Sequence, residues 1–150
     1  FLWFHGQSVP NSNRVDGNIA IMDVLDDGST SVRETWPALS GSRTLMPIPN
    51  NENWTVSNLR NNRTQPGFVR DGVGFSFDIT PDPAWGRTLL RIHPDGNLPG
   101  TEGCIGLTCG AGELNNFRNT VQNYLRINQT IRLRVTGSYT SLDPVIIRAR

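Results

Sequence analysis

The chain has 150 residues, 36% of them hydrophobic, and a formal net charge of +1 at neutral pH. This length predicts a single domain spanning residues 1–150 with a modest core. The low charge excludes a dedicated nucleic-acid binder, and no apolar run approaches the ~20 residues that span a bilayer. The 15 glycines and 10 prolines favour turns and short strands over a helical bundle.

The N-terminal part of the chain predicts strands joined by a hairpin. Residues 1–5 form a short apolar segment that indicates a first strand, and residues 18–25 alternate apolar with other side chains. Asp26, Asp27 and Gly28 form a strong turn signal. We therefore expect a hairpin that continues into a strand at residues 31–36.

The middle of the chain predicts a loop and two further strands. Residues 58–67 are rich in Asn and Arg with little periodicity, which predicts a mobile loop that could act as a lid. Residues 73–79 alternate Val, Phe, Phe and Ile with small or polar residues, the pattern of a half-buried strand. The apolar residues at 89–92 indicate another strand, which carries His93 at its end.

The C-terminal part predicts one helix and a closing strand. Apolar side chains from Leu114 to Leu125 recur at helical spacing, which predicts a helix at about residues 113–125. At residues 131–135, apolar side chains alternate with arginines, as in a strand with one polar face. The predicted fold class is mainly β (α+β), with two packed sheets and one helix against them.

The chemistry-bearing residues of the sequence are His93 and Cys104. A cysteine nucleophile needs a base to become a thiolate, and neutral imidazole is the usual one. The residues between the two are rich in Pro and Gly, so they predict a loop that folds Cys104 back against His93. Gly103 and Gly106 leave the backbone bare around the sulfur. We therefore expect the N–H groups of Gly103 and Cys104 to form an oxyanion hole.

The segment Thr-Glu-Gly-Cys-Ile-Gly-Leu at residues 101–107 resembles the active-site motif of the L,D-transpeptidase (YkuD-type) family, the cysteine enzymes of bacterial cell walls. In that family, a His and a variable loop precede Ser-His-Gly-Cys-Ile-Arg-Leu or a close variant. The form found here is similar to a divergent branch that includes antibacterial effectors of type VI secretion. The resemblance covers the order of segments from about residue 36 to residue 136, including Trp-Pro-Ala-Leu-Ser-Gly at residues 36–41.

The resemblance implies an L,D-transpeptidase-like β-sandwich with one packed helix, and a reaction that uses neither cofactor nor metal. Cys104 would attack the carbonyl of the third residue of a peptidoglycan tetrapeptide stem, with His93 as the base. The thioester would then pass to an amine, as in transpeptidation, or to water, as in L,D-carboxypeptidation. In the family, a backbone carbonyl orients the imidazole.

The chain departs from the family motif on both sides of the cysteine. Glu102 stands where the family has His, and Gly106 stands where it has Arg. In the family, those side chains help to shape the pocket and the site for a substrate carboxylate. Thr101 and Glu102 are candidate substrate-binding residues, although Glu102 could instead restrain a protonated His93 or simply be solvated.

Arg91 is the third candidate for substrate binding. It lies two residues before His93 and therefore shares its strand face, and a guanidinium can bind a peptide carboxylate through two hydrogen bonds. An ordinary surface ion pair with Asp95 or Glu102 is the alternative role.

The resemblance also implies a partner and a place of action. Peptidoglycan stem peptides are the expected substrate, and the expected site of action is the bacterial periplasm or cell wall, reached by secretion or delivery. The chain begins at Phe1 without a visible signal peptide, which indicates a mature form or an excised domain. We expect an antibacterial effector with a possible immunity protein, and a resident wall-remodelling enzyme is the alternative.

A non-catalytic phage or wall-binding module of the same fold is the hypothesis from a different class. A disulfide between Cys104 and Cys109 would favour that hypothesis. Two Cys and two His do not predict a zinc site in this pattern.

Overall fold

The computed structural model describes residues 1–80, 89–96 and 98–137 of the chain. In these residues the regular elements are nine strands, one α-helix and a 3-10 turn at Pro66–Phe68. The strands and the helix, in chain order, are β1 (Leu2–Ser8), β2 (Val15–Val24), β3 (Thr30–Ser40), β4 (Asn51–Asn61), β5 (Val69–Arg70), β6 (Val73–Thr80), β7 (Leu90–Pro94), β8 (Ile105–Leu107), α1 (Ala111–Asn128) and β9 (Ile131–Gly137).

Eight of the strands close into a barrel. Their order is β4-β9-β1-β2-β3-β8-β7-β6, and β4 pairs again with β6 to complete the ring. The short β5 pairs with β6 outside this ring. The pairs β1–β9 and β7–β8 are parallel, and the others are antiparallel.

The mainly-β prediction with one helix is confirmed, but the arrangement differs from the predicted β-sandwich. A sandwich needs two separate sheets, whereas here the hydrogen bonds continue around one ring. The physical reason lies in β4, which pairs with β9 at one end and with β6 at the other. A shift in register near Asn58, a residue with φ of 53°, bends β4 so that it can join both neighbours.

The core fills the barrel and extends to the helix. Phe117 of α1 packs edge-on against Trp36 of β3, with ring centres 5.0 Å apart, and also contacts Phe75 and Phe77 of β6. All four rings are fully buried. Burying one such side chain contributes about 1.5–3 kcal/mol, and Phe117 shares the attachment of the helix to the barrel with Leu114 and Val121, which are also fully buried.

The predicted helix and strands are present, and most are longer than predicted. The helix extends beyond residues 113–125 at both ends, and Gln129 with φ of 63° ends it. The loop prediction for residues 58–67 is wrong in its first part, because residues 58–61 belong to β4. This part of β4 is polar because its side chains are half-buried or exposed, so it carries no apolar pattern.

The described residues share one apolar core. The single-domain prediction for residues 1–150 stays a prediction, because residues 138–150 lie outside the described ranges. Among the described residues, the helix lacks the length and apolar character needed to cross a membrane.

Candidate active site

The parallel pairing of β7 with β8 fixes the relative positions of His93 and Cys104. Ile92 pairs with Ile105, and His93 pairs with Gly106. Both isoleucines are fully buried in the barrel. Because side chains alternate along a strand, His93 and Cys104 belong to the opposite, outer face. Gly106 places no side chain beside His93, so Cys104 is its diagonal neighbour across the strand pair.

A cleft of about 520 Å³ lies over this part of the outer face. It is lined by the candidate catalytic residues His93 and Cys104 and by the candidate substrate-binding residues Arg91, Thr101 and Glu102. The other lining residues are Gly67 and Phe68 of the 3-10 turn, Leu89, Leu90 and Gly100. The structure therefore brings five of the six candidate site residues to one cleft, and Gly103 is not part of its lining.

His93 is held as a buried, oriented base. Its ring is 5% exposed, and its Nδ1 lies 2.7 Å from the carbonyl oxygen of Pro94. The ring of Phe68 stands edge-on to it, with ring centres 4.5 Å apart. Burial lowers the pKa of His93 to about 4, and the charges of Arg91 and Arg63 lower it further, against the opposing hydrogen bond to Pro94. A neutral ring that donates from Nδ1 leaves Nε2 as the proton acceptor.

The sulfur of Cys104 faces backbone groups of the neighbouring strand. The N–H of Arg91 donates to Sγ at 3.3 Å, and Sγ lies 3.8 Å from the carbonyl oxygen of Leu89. Cys104 is half-buried, so a substrate can reach it from the cleft.

Cys109 has a different environment. It is 5% exposed and belongs to the apolar core, where burial raises the pKa of its thiol. Cys104 and Cys109 are not joined in a disulfide, so the feature that would favour a non-catalytic module is not present between these two residues.

Thr101 holds the loop that carries the nucleophile. Its buried hydroxyl donates to the carbonyl of Cys104 at 2.5 Å and accepts the N–H of Gly41 at 3.0 Å. The N–H of Thr101 donates to the carbonyl of Gly41 at 2.8 Å. Ser40, also buried, donates to the carbonyl of Gly103 at 3.3 Å. Ser40 and Gly41, at the end of β3, therefore support the turn before Cys104 through three hydrogen bonds, and the fourth closes the turn itself.

These contacts change the roles expected for Thr101 and Gly103. Thr101 was predicted to bind substrate, but its hydroxyl is occupied by the loop. The N–H of Gly103, a predicted oxyanion-hole donor, donates to Thr101 Oγ1 at 3.3 Å and so points into the loop. Gly103 has φ of 108°, a conformation that favours glycine. Glu102 is exposed at the rim of the cleft.

Arg91 pairs with neither Asp95 nor Glu102, the partners expected for a surface role. Its Nε instead lies 3.7 Å from Oδ1 of Asp78 on β6, and its guanidinium carbon lies 5.9 Å from the ring centre of Phe68. The side chain is 18% exposed and lines the cleft. It is thus a largely buried cation in the cleft that Cys104 also lines.

Gly106 lies in a tight environment. A Cβ at position 106 would lie 3.0 Å from Asp95 Cβ and 3.1 Å from Thr101 Cγ2, so a larger residue would need these side chains to shift. Asp95 is 3% exposed and accepts the N–H of Gly100. Burial raises the pKa of Asp95 to about 6, opposed by that hydrogen bond and by the charge of Arg70.

Sequence reasoning missed several of these contributions. Phe68 and the Ser40–Gly41 pair carry no chemical motif of their own. Their only signal was the family-like segment at residues 36–41, which indicated the presence of Ser40 and Gly41 but not their contact with the loop before Cys104. The resemblance did imply a backbone carbonyl at the imidazole, although not that it belongs to Pro94. Within the described part of the chain, no group of three His, Cys, Asp or Glu side chains could hold a metal ion.

Comparison with known proteins finds no similar protein or family. The chain matches no family model, no curated protein and no solved structure. The functional argument therefore rests on the geometry described above and on the motif.

The bonds of Thr101 give a first prediction. Thr101→Val removes an acceptor for two N–H groups and a donor to one carbonyl, all buried, and each orphaned group costs about 1–3 kcal/mol. We expect a lower Tm in thermal unfolding together with a lower kcat. Thr101→Ser keeps the hydroxyl and is the matched control, so it should retain both. Equal behaviour of the two variants would contradict the positioning role.

The burial of His93 gives a second prediction. In an NMR titration, its ring signal should change near pH 4 rather than near the usual 6.5. Phe68→Ala admits water to the ring, which favours the charged form, and should raise the pKa. Phe68→Leu keeps most of the cover and should shift it less. The chain has only one other histidine, and His5→Gln assigns its signal. Titration of wild-type His93 near pH 6.5 would contradict the buried-base description.

Proposed function

We propose that this protein is a cysteine acyltransferase or peptidase that acts on the tetrapeptide stems of peptidoglycan, as an L,D-transpeptidase or L,D-carboxypeptidase. One observation carries the proposal. A half-buried thiol and a neutral, oriented imidazole lie diagonally across one parallel strand pair, on the floor of a cleft. The sequence around the thiol, Thr-Glu-Gly-Cys-Ile-Gly-Leu, selects this substrate class among those that a Cys–His pair can attack. The barrel would then be this chain's form of the L,D-transpeptidase fold.

The first half of the reaction forms a thioester. His93 Nε2 takes the thiol proton of Cys104, and the thiolate attacks the carbonyl carbon of the third stem residue. A C–S bond forms, the C–N bond to the terminal residue breaks, and the imidazolium returns its proton to the leaving amine. The negative oxygen formed on the way needs N–H donors near Cys104. The N–H of Gly103 could donate to that oxygen only by giving up its hydrogen bond to Thr101 Oγ1.

The second half releases the acyl group. Water or an amine loses its proton to His93 and attacks the thioester, and the C–S bond breaks to regenerate the thiol. The carbonyl of Pro94 holds the imidazole through Nδ1 throughout, in the place that an acidic residue occupies in many triads.

The test is incubation of the purified protein with tetrapeptide muropeptides, followed by mass spectrometry. Loss of the terminal residue alone identifies carboxypeptidation, and a product enlarged by an added stem or amino acid identifies transfer. The Cys104→Ala protein serves as the negative control. No change in any stem peptide under conditions where the protein is folded would refute the proposal.

We further propose that the biological role is that of an antibacterial effector, because the motif is similar to the branch that contains such effectors. A wall enzyme can act only where stem peptides are present. We predict that the chain is nearly harmless in the cytoplasm of a Gram-negative host. With an added export signal it should lyse or swell the cells, and the exported Cys104→Ala variant should not.

Growth curves and microscopy separate the alternatives. Equal killing from the cytoplasm would mean that peptidoglycan is not the target. An exported protein that is harmless and adds cross-links would favour the resident remodelling enzyme over the effector.

A further inference from the structure

A row of polar side chains crosses the outer face of the barrel next to the nucleophile. Asp78 of β6 pairs with Arg91 of β7 in the strand register, and the next strand along, β8, begins directly after Cys104. On the other side of β6, β4 brings Asn58 and Arg60 to Asp78. Neighbouring strands are about 4.8 Å apart, so the backbone of Arg91 lies roughly one strand spacing from that of Cys104, and both side chains line the same cleft.

Asp78 organises the two arginines of this row. Its Oδ2 accepts Asn58 Nδ2 at 2.9 Å and Arg60 Nη2 at 3.0 Å, whereas its Oδ1 lies 3.7 Å from Arg91 Nε. The register shift near Asn58 places both β4 side chains within reach of the same carboxylate. One carboxylate thus holds two guanidinium groups, and the cluster keeps a net charge of +1.

The hydrogen bonds of Arg91 are incomplete. At 3.7 Å, the contact of its Nε with Asp78 is too long for a hydrogen bond, and this buried atom has no acceptor within the described part of the chain. A buried guanidinium donor without an acceptor costs free energy. The position of Arg91 is therefore better explained by an anion that arrives with a ligand than by the stability of the fold.

A second, smaller cleft joins this row to the first. It has a volume of about 240 Å³ and includes Arg60, Asp78, Thr80 and Arg91 in its lining. It shares Leu89, Leu90 and Arg91 with the cleft over Cys104. A ligand with its reacting carbonyl at Cys104 can therefore extend over Arg91 into the cleft beside Arg60.

We propose that Arg91 and Arg60, held by Asp78, form a binding site for a carboxylate of the substrate, on the side of the residue that leaves. This inference rests on the proposed function for the identity of the substrate. In a peptide acid that loses its last residue, the terminal carboxylate lies one residue beyond the scissile carbonyl, which suits a cation in the same cleft as Cys104. A carboxylate on the side chain of the third residue has the same chemistry and is the other source that the site can take.

The test measures binding and turnover separately. Calorimetry with the Cys104→Ala protein compares three synthetic tetrapeptide stems, namely the free acid, the C-terminal amide and the side-chain amide at residue three. We expect Kd to rise about 10- to 100-fold for whichever amide removes the bound carboxylate, the range for a lost charge-assisted hydrogen bond. Adding Arg91→Gln or Arg60→Gln should raise Kd for the free acid and remove the difference between acid and amide.

The controls separate folding from recognition. Arg60 is 42% exposed, so Arg60→Gln tests the site even if Arg91→Gln lowers the Tm. Arg33 pairs with Asp23 on the β2–β3 hairpin, and Arg33→Gln is a matched loss of charge that should change neither Kd nor its dependence on the carboxylate. If the arginine variants lose the preference for the free acid over the C-terminal amide, the bound group is the C-terminal carboxylate. If they lose the preference over the side-chain amide, the bound group is the side-chain carboxylate of residue three.

The outcomes distinguish this inference from the proposed function. Equal Kd values for the acid and both amides, or a preference that survives in both arginine variants, would overturn the carboxylate site. If Cys104→Ala binds acids through the two arginines but the wild type converts no stem peptide, the carboxylate site stands and the proposed activity fails.

Discussion

Replacing Cys104 by alanine should remove turnover of tetrapeptide stems, by a factor on the order of 10⁴–10⁶ in kcat, because no covalent intermediate can form. The half-buried thiol lines the cleft rather than the core, so the free energy of unfolding should change by about 1 kcal/mol or less. Mass spectrometry of muropeptides measures the first effect, and thermal unfolding measures the second.

Cys109→Ala is the matched control for this variant. Cys109 lies in the apolar core, so its loss should lower the Tm and leave the chemistry intact. Iodoacetamide should label the native protein at Cys104 and leave Cys109 unmodified. Substantial turnover by Cys104→Ala would refute the covalent mechanism.

Replacing His93 by alanine should lower kcat/KM by about 10²–10⁴, the usual effect of losing a general base. Alkylation of Cys104 at neutral pH should slow as well, because the thiol has lost its proton acceptor. Alkylation reactions quenched at successive times and analysed by mass spectrometry give this rate without any substrate. The result therefore does not depend on the identity of the stem peptide.

Two further variants show whether the effect comes from the base or from its packing. His93→Gln fills more of the space beneath Phe68 than alanine but cannot accept the proton as imidazole does, and it should be as inactive as alanine. His5→Ala removes the exposed histidine of β1 and should change nothing. An unchanged alkylation rate in both His93 variants would mean that His93 is not the partner of Cys104.

The sequence predicted the elements better than their arrangement. Alternation along residues 73–79 and helical spacing from Leu114 to Leu125 depend on neighbours in the chain, and both elements are present. Closure of the barrel depends on the pairing of β4 with both β6 and β9, and β9 lies far from the other two strands in the sequence. A polar strand with a bulge gives no local signal for such pairing, so the sandwich was the simpler expectation.

The residues of the candidate site likewise fall into those that the sequence indicated and those that only the fold reveals. His93 and Cys104 could be recognised because their residue types and spacing report chemistry directly. Phe68 and Ser40 contribute through contacts with residues 25 and 63 positions away, which only the folded chain reveals. Gly106 was read from the sequence only as a departure from a motif, and its tight packing against Asp95 and Thr101 is visible only in the fold.

The pairing of the short strand β8 has a consequence for how unfolding and refolding affect the candidate site. Its three residues are paired on both sides, with β3 and with β7, inside a ring of strands. His93, in β7, and Cys104, directly before β8, are therefore attached to the cooperative core, and amide exchange in β7 and β8 should require global unfolding. Heat should abolish activity and fold in a single transition. A chain that has been unfolded would stay inert until this non-local ring, which folds slowly, closes again.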